Sequence, residues 1–287
     1  MSDENLAFFV QEPSVAPIPL VLDSPHSGFT LPPDFLPSAP LEAIRSGWDA
    51  YLDDLWSGAT KHGAILVCAL FPRTYIDANR SEDDIDQELL DAPWPRPVHP
   101  SDYAKRGQGL IRRFALPNVP MYDRLLTIRE VEHRLDTYYR PYRSAVSAAI
   151  ASAVQRFGHV WHIDLHSMKS TGNAMNTDNG KARPDLVISD RDGRTSNPAA
   201  TEWIAARFRE LGYDARVNTP YKGGDMVKTF GQPEKNQHSI QIEINRAIYM
   251  DETSCEKSPR YAQLQADIDR FLAQFVEKIT SKDADFR

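Results

Sequence analysis

Short apolar runs of strand length alternate along the chain with longer segments of helical period, the alternation that βαβ units produce. The expected class is α/β. Pro19 to Asp23 reads as a first strand, and Ala64 to Phe71 as a second, fully buried one entered through Gly63. Between them, Leu41 to His62 reads as a helix with Ile44, Trp48, Tyr51, Leu52 and Leu55 at its apolar positions. Val160 to Leu165, Asp185 to Ser189, Ala215 to Asn218 and Ser239 to Ile244 are the remaining expected strands. Further helices are expected over Thr127 to Phe157, with a kink or break at Pro141, over Ala199 to Leu211, closed by Gly212, and over Arg260 to Ile279. Pro72 to Asn118 shows no sustained period and reads as a long excursion from the sheet edge; loops of that length are usually functional or disordered.

With 287 residues, 41% of them hydrophobic, the chain can bury a full-sized core and nothing forces its division. The expectation is one catalytic domain over residues 1–287, with 1–15 and 281–287 peripheral and the tail from Ser281 frayed. Its net charge is −7 and no Lys/Arg block is long enough to grip a phosphate backbone, which argues against a nucleic-acid partner. An acidic start, with the apolar run Leu6 to Val10 broken by Gln11 and Glu12, does not read as a secretory signal. No stretch approaches the ~20 apolar residues of a membrane span. Cys68 and Cys255, the two cysteines, lack metal-ligand spacing and fit a reducing compartment. A cytoplasmic enzyme, monomeric or homodimeric, is the expectation.

In open α/β sheets, ligands bind beyond the carboxyl ends of the strands. The polar residues there are Asp23-Ser24-Pro25-His26-Ser27-Gly28 after the first strand and Phe71-Pro72-Arg73 after the second. The third contributes Asp164-Leu165-His166-Ser167-Met168, and the sixth carries Glu243 and ends in Asn245-Arg246. His26 and His166 come from different strands and converge on one sheet edge, as a metal taking imidazole nitrogen at ~2.0–2.1 Å would require. The plainer alternative is a pair of turn histidines. A catalytic zinc usually takes a third protein ligand, often a carboxylate. Asp49, in Gly47-Trp48-Asp49, is the chosen candidate, although it could equally belong to a solvated acidic helix face with Asp53 and Asp54. Asp23 and Asp164 compete with it, and each could instead orient a ligand histidine.

In SIQIEIN, Ile240, Ile242 and Ile244 share one strand face, so Gln241, Glu243 and Asn245 share the other. A carboxylate facing inward from a central strand is costly unless paired or used, which makes Glu243 the candidate general base and acid of a metal-assisted hydrolysis. On an edge strand it would simply face solvent. Arg73, Asn79-Arg80, Arg112-Arg113, Lys222 and Arg246 fall in loops, and arginine is suited to gripping a planar carboxylate. Together they suggest a small anionic substrate; Arg112 and Arg113 taken singly read as surface arginines. No G-x-x-x-x-G-K-[ST], G-x-G-x-x-G or G-x-S-x-G motif is present. Ser24, Ser27 and Ser167 lie beside the histidines without the Gly-flanked turn of a serine nucleophile, and Gly223-Gly224 reads as a turn that closes over a ligand.

SPHSG at Ser24 to Gly28, FPRTYIDANR at Phe71 to Arg80, DLHSM at Asp164 to Met168, PYKGG at Pro220 to Gly224 and QIEINRAIYM at Gln241 to Met250 resemble the N-formylglutamate amidohydrolase family. The resemblance runs in order from about Leu20 to Asp251. It implies hydrolysis of N-formyl-L-glutamate to formate and L-glutamate, a step of histidine degradation. That family is in turn similar to zinc carboxypeptidases and aspartoacylases, which implies a mixed, mostly parallel sheet flanked by helices and one Zn2+ held by two histidines and a carboxylate. On this resemblance His26 and His166 look like the zinc histidines, Glu243 like the base, and Asn79-Arg80 like the pair that holds an α-carboxylate. Arg73 or Arg246 would stabilise the oxyanion or hold the side-chain carboxylate, with Lys222 among the substrate-binding residues. Those relatives place the carboxylate ligand three residues after the first histidine, where this chain has Phe29, so Asp49 has to be recruited from further along. The alternatives are a related deacylase or carboxypeptidase acting on another group, and a non-catalytic binder of acidic amino acids, which would have no need of His26, His166 and Glu243.

Overall fold

The computed structural model describes residues 6–281 and 283–286, so expectations for residues 1–5, 282 and 287 lie outside the described residues. Its strands are β1 (Phe8–Gln11), β2 (Leu20–Ser24), β3 (Ile65–Ala69), β4 (Phe114–Leu116), β5 (Val119–Pro120), β6 (Val160–Met168), β7 (Leu186–Ser189), β8 (Ala215–Val217) and β9 (Gln237–Asn245). β4 and β5 pair as a small hairpin, and the others form one sheet in the order β1-β3-β2-β6-β9-β7-β8. β3, β2, β6 and β9 are mutually parallel, as are β7 and β8, whereas β1 and β7 run antiparallel to β3 and β9. This is the α/β class that the alternation of runs predicts, with the mixed, mostly parallel sheet that the family resemblance implies. The helices are α1 (Leu41–Arg45), α2 (Leu52–Leu55), α3 (Asp102–Lys105), α4 (Ile128–Arg134), α5 (Arg140–Phe157), α6 (Pro198–Glu210), α7 (Asp225–Phe230), α8 (Arg246–Tyr249) and α9 (Tyr261–Thr280). No helix among the described residues is long and apolar enough to cross a membrane.

Each sheet face is covered by helices, which is why the central strands are buried on both sides. On one face Trp161, Ile163, Leu165, Ile240 and Ile242 pack with Ile204 and Phe208 of α6 and Ile268 and Phe271 of α9. On the other, Val21, Val67 and Val160 pack with Tyr142, Val146 and Ile150 of α5. Because side chains alternate along a strand, β6 turns His162, Asp164 and His166 to this second face, all of them buried. The register sets Asp23 beside Asp164, Asp164 beside Gln241 and His166 beside Glu243. The sheet thus builds a polar column inside an otherwise apolar layer, ending at the carboxyl ends of β6 and β9.

Three expectations need correction. Residues 41–62 are not one helix: α1 and α2 are separated by residues 46–51, and a 3-10 segment follows at Ser57–His62. The apolar spacing satisfies a helical period, but tertiary bonds break it. The Asp49 amide donates to the His26 carbonyl at 3.1 Å, the Trp48 indole donates to the Ser27 carbonyl at 2.6 Å, and Tyr51 takes a left-handed backbone with φ 65°. Between α4 and α5 the chain stays helical through a π turn at Leu135–Tyr139, and Pro141 falls at the start of α5. The wider turn accommodates a ring that supplies no N–H. The termini also contribute to the packing: β1 pairs with β3, and Phe286 is buried against Trp161, Trp203 and Phe275.

Candidate metal and active site

His26 follows β2, His166 lies near the end of β6, and Asp49 sits in the break between α1 and α2. All three are buried and offer ligand atoms to one point. His26 Nδ1 is 3.1 Å from His166 Nδ1 and 3.5 Å from Asp49 Oδ2, and His166 Nδ1 is 3.2 Å from the same oxygen. These separations match the roughly 3.3 Å edge of a tetrahedron with zinc-type bond lengths. The outer imidazole nitrogens face carboxylates: His26 Nε2 is 2.7 Å from Asp77 Oδ1, and His166 Nε2 is 2.8 Å from Asp164 Oδ1. The Asn79 amide nitrogen also lies 2.8 Å from His166 Nε2, but an ionised carboxylate is the stronger partner. Asp77 therefore holds the hydrogen on His26 Nε2 and turns the Nδ1 lone pair inward, while Asp164 and Asn79 together position the outer nitrogen of His166. Two imidazole nitrogens and a carboxylate oxygen, buried and converging on one point, form a donor set that fits a divalent cation.

The surroundings hold this set in place. Arg246 donates to Asp49 Oδ1 at 2.6 Å, Ser167 Oγ at 3.0 Å and the Ser46 carbonyl at 2.8 Å, which leaves Asp49 Oδ2 turned toward the histidines. Arg73 donates twice to Asp77 Oδ2, at 3.1 and 2.8 Å, fixing the carboxylate that orients His26. Asp23 is engaged elsewhere, accepting from Tyr142 at 2.6 Å and facing His162 Nε2 at 2.7 Å. Of the three carboxylates considered from the sequence, only Asp49 stands with both histidines; Asp164 takes the orienting position and Asp23 a separate buried network.

Glu243, on the β9 residue registered with His166, accepts from the Gln241 amide at 2.9 Å. Gln241 in turn accepts from the Gly224 amide at 2.7 Å, which ties the Gly223-Gly224 turn to this carboxylate. Burial pushes the Glu243 carboxyl above its ordinary range. Glu243 and His166 line an open cleft together with Arg73, Arg80, Arg112 and Arg246. Asn79 and Lys222 line it too, with prior commitments. The Asn79 carbonyl oxygen accepts from the Met226 amide at 2.8 Å and its nitrogen contacts Asp164 and His166, while Lys222 is mostly exposed and bonded to Asp192 at 2.9 Å.

Arg113 bonds to Glu88 and Asp86 away from the cleft. Arg112, by contrast, is buried in the cleft wall and not on the surface. Sequence reasoning also missed Asp77, Gln241 and Lys169. The first lies within FPRTYIDANR and the second shares the inward face of β9 with Glu243, so Gln241 was within reach of the same alternation.

Gly28 closes the His26 loop against the β3 exit. A Cβ there would overlap the Leu70 carbonyl carbon and the Ala69 carbonyl oxygen, main-chain atoms that cannot rotate away. Gly28→Ala is expected to destabilise the fold by roughly 2 kcal/mol or more and to weaken metal retention. Chemical denaturation with elemental analysis checks this, and a variant of native stability would show that the loop yields freely.

The family model for N-formylglutamate amidohydrolase matches residues 18–250. N-formylglutamate deformylase of Pseudomonas putida is 27% identical over 241 residues, covering 82% of this chain and 83% of that one. The crystal structure of N-formylglutamate amidohydrolase from Ralstonia eutropha JMP134 superposes with a TM-score of 0.91 at 40% identity, over 95% of this chain and 98% of the other. A gene product of Agrobacterium tumefaciens has a TM-score of 0.66 at 18% identity, over 97% of this chain and 98% of the other, a likeness of fold alone.

Proposed function

The chain belongs to the N-formylglutamate amidohydrolase family, and from that membership we propose that it is a zinc-dependent, cytoplasmic amidohydrolase, one catalytic domain, that converts N-formyl-L-glutamate to formate and L-glutamate. The observation that supports metal dependence is the convergence of His26 Nδ1, His166 Nδ1 and Asp49 Oδ2 beside Glu243. Zinc held by those three residues supplies Lewis acidity toward an amide carbonyl and a water molecule.

The chain's own groups do the rest. Asp77 and Asp164 orient the two imidazoles, and Arg246 aims Asp49. Glu243 takes a proton from the attacking water and hands it to the amide nitrogen as the C–N bond breaks; its burial favours the protonated form and suits it to both halves of that shuttle. Arg73 Nη1, which donates to no protein group among the described residues, faces the developing oxyanion. Arg80 takes the α-carboxylate through its free Nη2, its other donors being held by the Gln108 and Asn79 carbonyls and its plane stacked 4.3 Å from the Tyr103 ring. Asn79 braces the wall behind it, and Lys222 stands at the rim, paired with Asp192.

The test is a panel of N-formyl, N-acetyl and N-succinyl amino acids assayed before and after chelation. Hydrolysis of N-formyl-L-glutamate at least about 100-fold faster than of its N-acetyl analogue, lost on chelation and restored by zinc, is the expected result. Turnover that survives complete metal removal would overturn the metal dependence, and preference for another acyl group would move the protein to a neighbouring deacylase activity.

A further inference from the structure

Counting counter-charges in the cleft leaves two cations over. Arg73 is bound twice to Asp77, and Arg246 has its donors on Asp49, Ser167 and the Ser46 carbonyl. Arg183 grips Asp178 at 2.7 and 2.9 Å and the Lys169 carbonyl at 3.1 Å, and Lys222 meets Asp192. Arg80 is assigned above to the α-carboxylate. Arg112 and Lys169 remain. Arg112 is 7% exposed, its Nε is buried without a partner, and its guanidinium makes no hydrogen bond among the described residues. The nearest carboxylate oxygen, Asp77 Oδ2, lies 3.9 Å away and is already held by Arg73. Lys169 is half-buried, lines the same cleft and forms neither hydrogen bond nor ion pair through its ammonium among the described residues.

A buried guanidinium without hydrogen bonds is expensive in isolation. Burial, then the Arg73 charge beside it, pushes the Arg112 guanidinium down to about 9. Burial and the neighbouring Arg246 charge likewise lower the Lys169 ammonium. An incoming carboxylate relieves both strains at once, and the planar fork of Arg112 is shaped to receive one with two parallel bonds.

We infer that Arg112, assisted by Lys169, is the receptor for the side-chain carboxylate of the substrate, and that this pair selects N-acylated diacid amino acids over those with neutral side chains. The inference rests on the amidohydrolase reading above and adds the residues that decide its specificity. Arg112 acts through binding and orientation of the substrate.

The experiment compares native protein with Arg112→Gln, Arg112→Lys and Lys169→Gln on N-formyl-L-glutamate and N-formyl-L-glutamine, which differ only in the side-chain terminus. Arg112→Gln is expected to lose roughly 50-fold or more in kcat/KM on the diacid, the size of a charge-assisted pair. On the amide its loss should stay below about 5-fold, which also shows that the variant folds. Lys169→Gln should show the same selectivity at about 10-fold, and Arg112→Lys should recover part of the loss. Equal losses on both substrates would overturn the assignment. Titration calorimetry with glutarate reads the subsite without turnover: a fall of roughly 30-fold in affinity for Arg112→Gln supports it, and undiminished affinity overturns it. Failure of the native protein on every N-formyl amino acid would instead remove the amidohydrolase reading while the glutarate titration still judged the subsite.

Discussion

Glu243→Gln is expected to keep the fold and a full equivalent of metal while kcat on N-formyl-L-glutamate falls by about 10³-fold, within the range that positioned general acid–base groups contribute. The substitution is close to isosteric. A glutamine carbonyl oxygen can still accept from the Gln241 amide as the Glu243 carboxylate does at 2.9 Å, so the tie to the Gly224 amide through Gln241 survives. What disappears is the ability to take a proton from water and give it to a leaving nitrogen. Since Glu243 is not one of the three groups that converge at 3.1–3.5 Å, metal content should not change. KM should change little, because the groups proposed to hold the substrate carboxylates, Arg80 and Arg112, are untouched. Steady-state kinetics with elemental analysis on one preparation checks both halves. Near-native kcat would remove Glu243 from the proton shuttle; loss of metal would instead make it part of the metal's coordination.

Glu243 was legible in the sequence because three isoleucines at period two fix the facing of their neighbours, and β9 is central as that reading required. His26 and His166 were legible from their place at strand ends. The same reasoning applied to β6 would have exposed the alternation of His162, Asp164 and His166 with Trp161, Ile163 and Leu165, a pattern that a fully buried strand carries only when its polar face has partners. Asp49 does stand beside the two histidines, in the break between α1 and α2 and not within a helix as expected. The spacing of Ile44, Trp48, Leu52 and Leu55 mimics one helix, and nothing local reveals that the Asp49 amide is bonded to the His26 carbonyl 23 residues earlier. β1 escaped for a related reason, being four residues on a sheet edge paired with a strand nearly sixty residues away. Asp77 and Arg112 come from the aperiodic excursion after β3, where a residue's burial is set wholly by tertiary packing. A loop arginine is ordinarily a surface group, and only the fold shows that Arg112 is buried in the cleft wall with no hydrogen bond to the described residues and its nearest carboxylate already held by Arg73.

Asp49 carries two roles that substitution should separate. Asp49→Ala removes the third donor atom and also strands Arg246, whose guanidinium meets Asp49 Oδ1 at 2.6 Å with the carboxylate fully buried and the arginine 7% exposed. Breaking such a pair from one side costs about 3 kcal/mol or more, so this variant should lose metal, activity and stability together. Asp49→Asn keeps a carbonyl oxygen for Arg246 and therefore most of the packing. Its amide nitrogen, in place of Oδ2, turns hydrogens toward the two inner imidazole nitrogens and satisfies them without an ion. The expected result is a fold less than about 2 kcal/mol below native, metal content well under one equivalent after dialysis, and kcat/KM reduced by about 10³-fold or more. Asp164 and Asp23 give no ready replacement, since one already faces His166 Nε2 at 2.8 Å and the other is held by Tyr142 and His162. Stoichiometric metal in Asp49→Asn would therefore contradict the donor set itself, because among the described residues no other carboxylate stands with His26 and His166 to complete it.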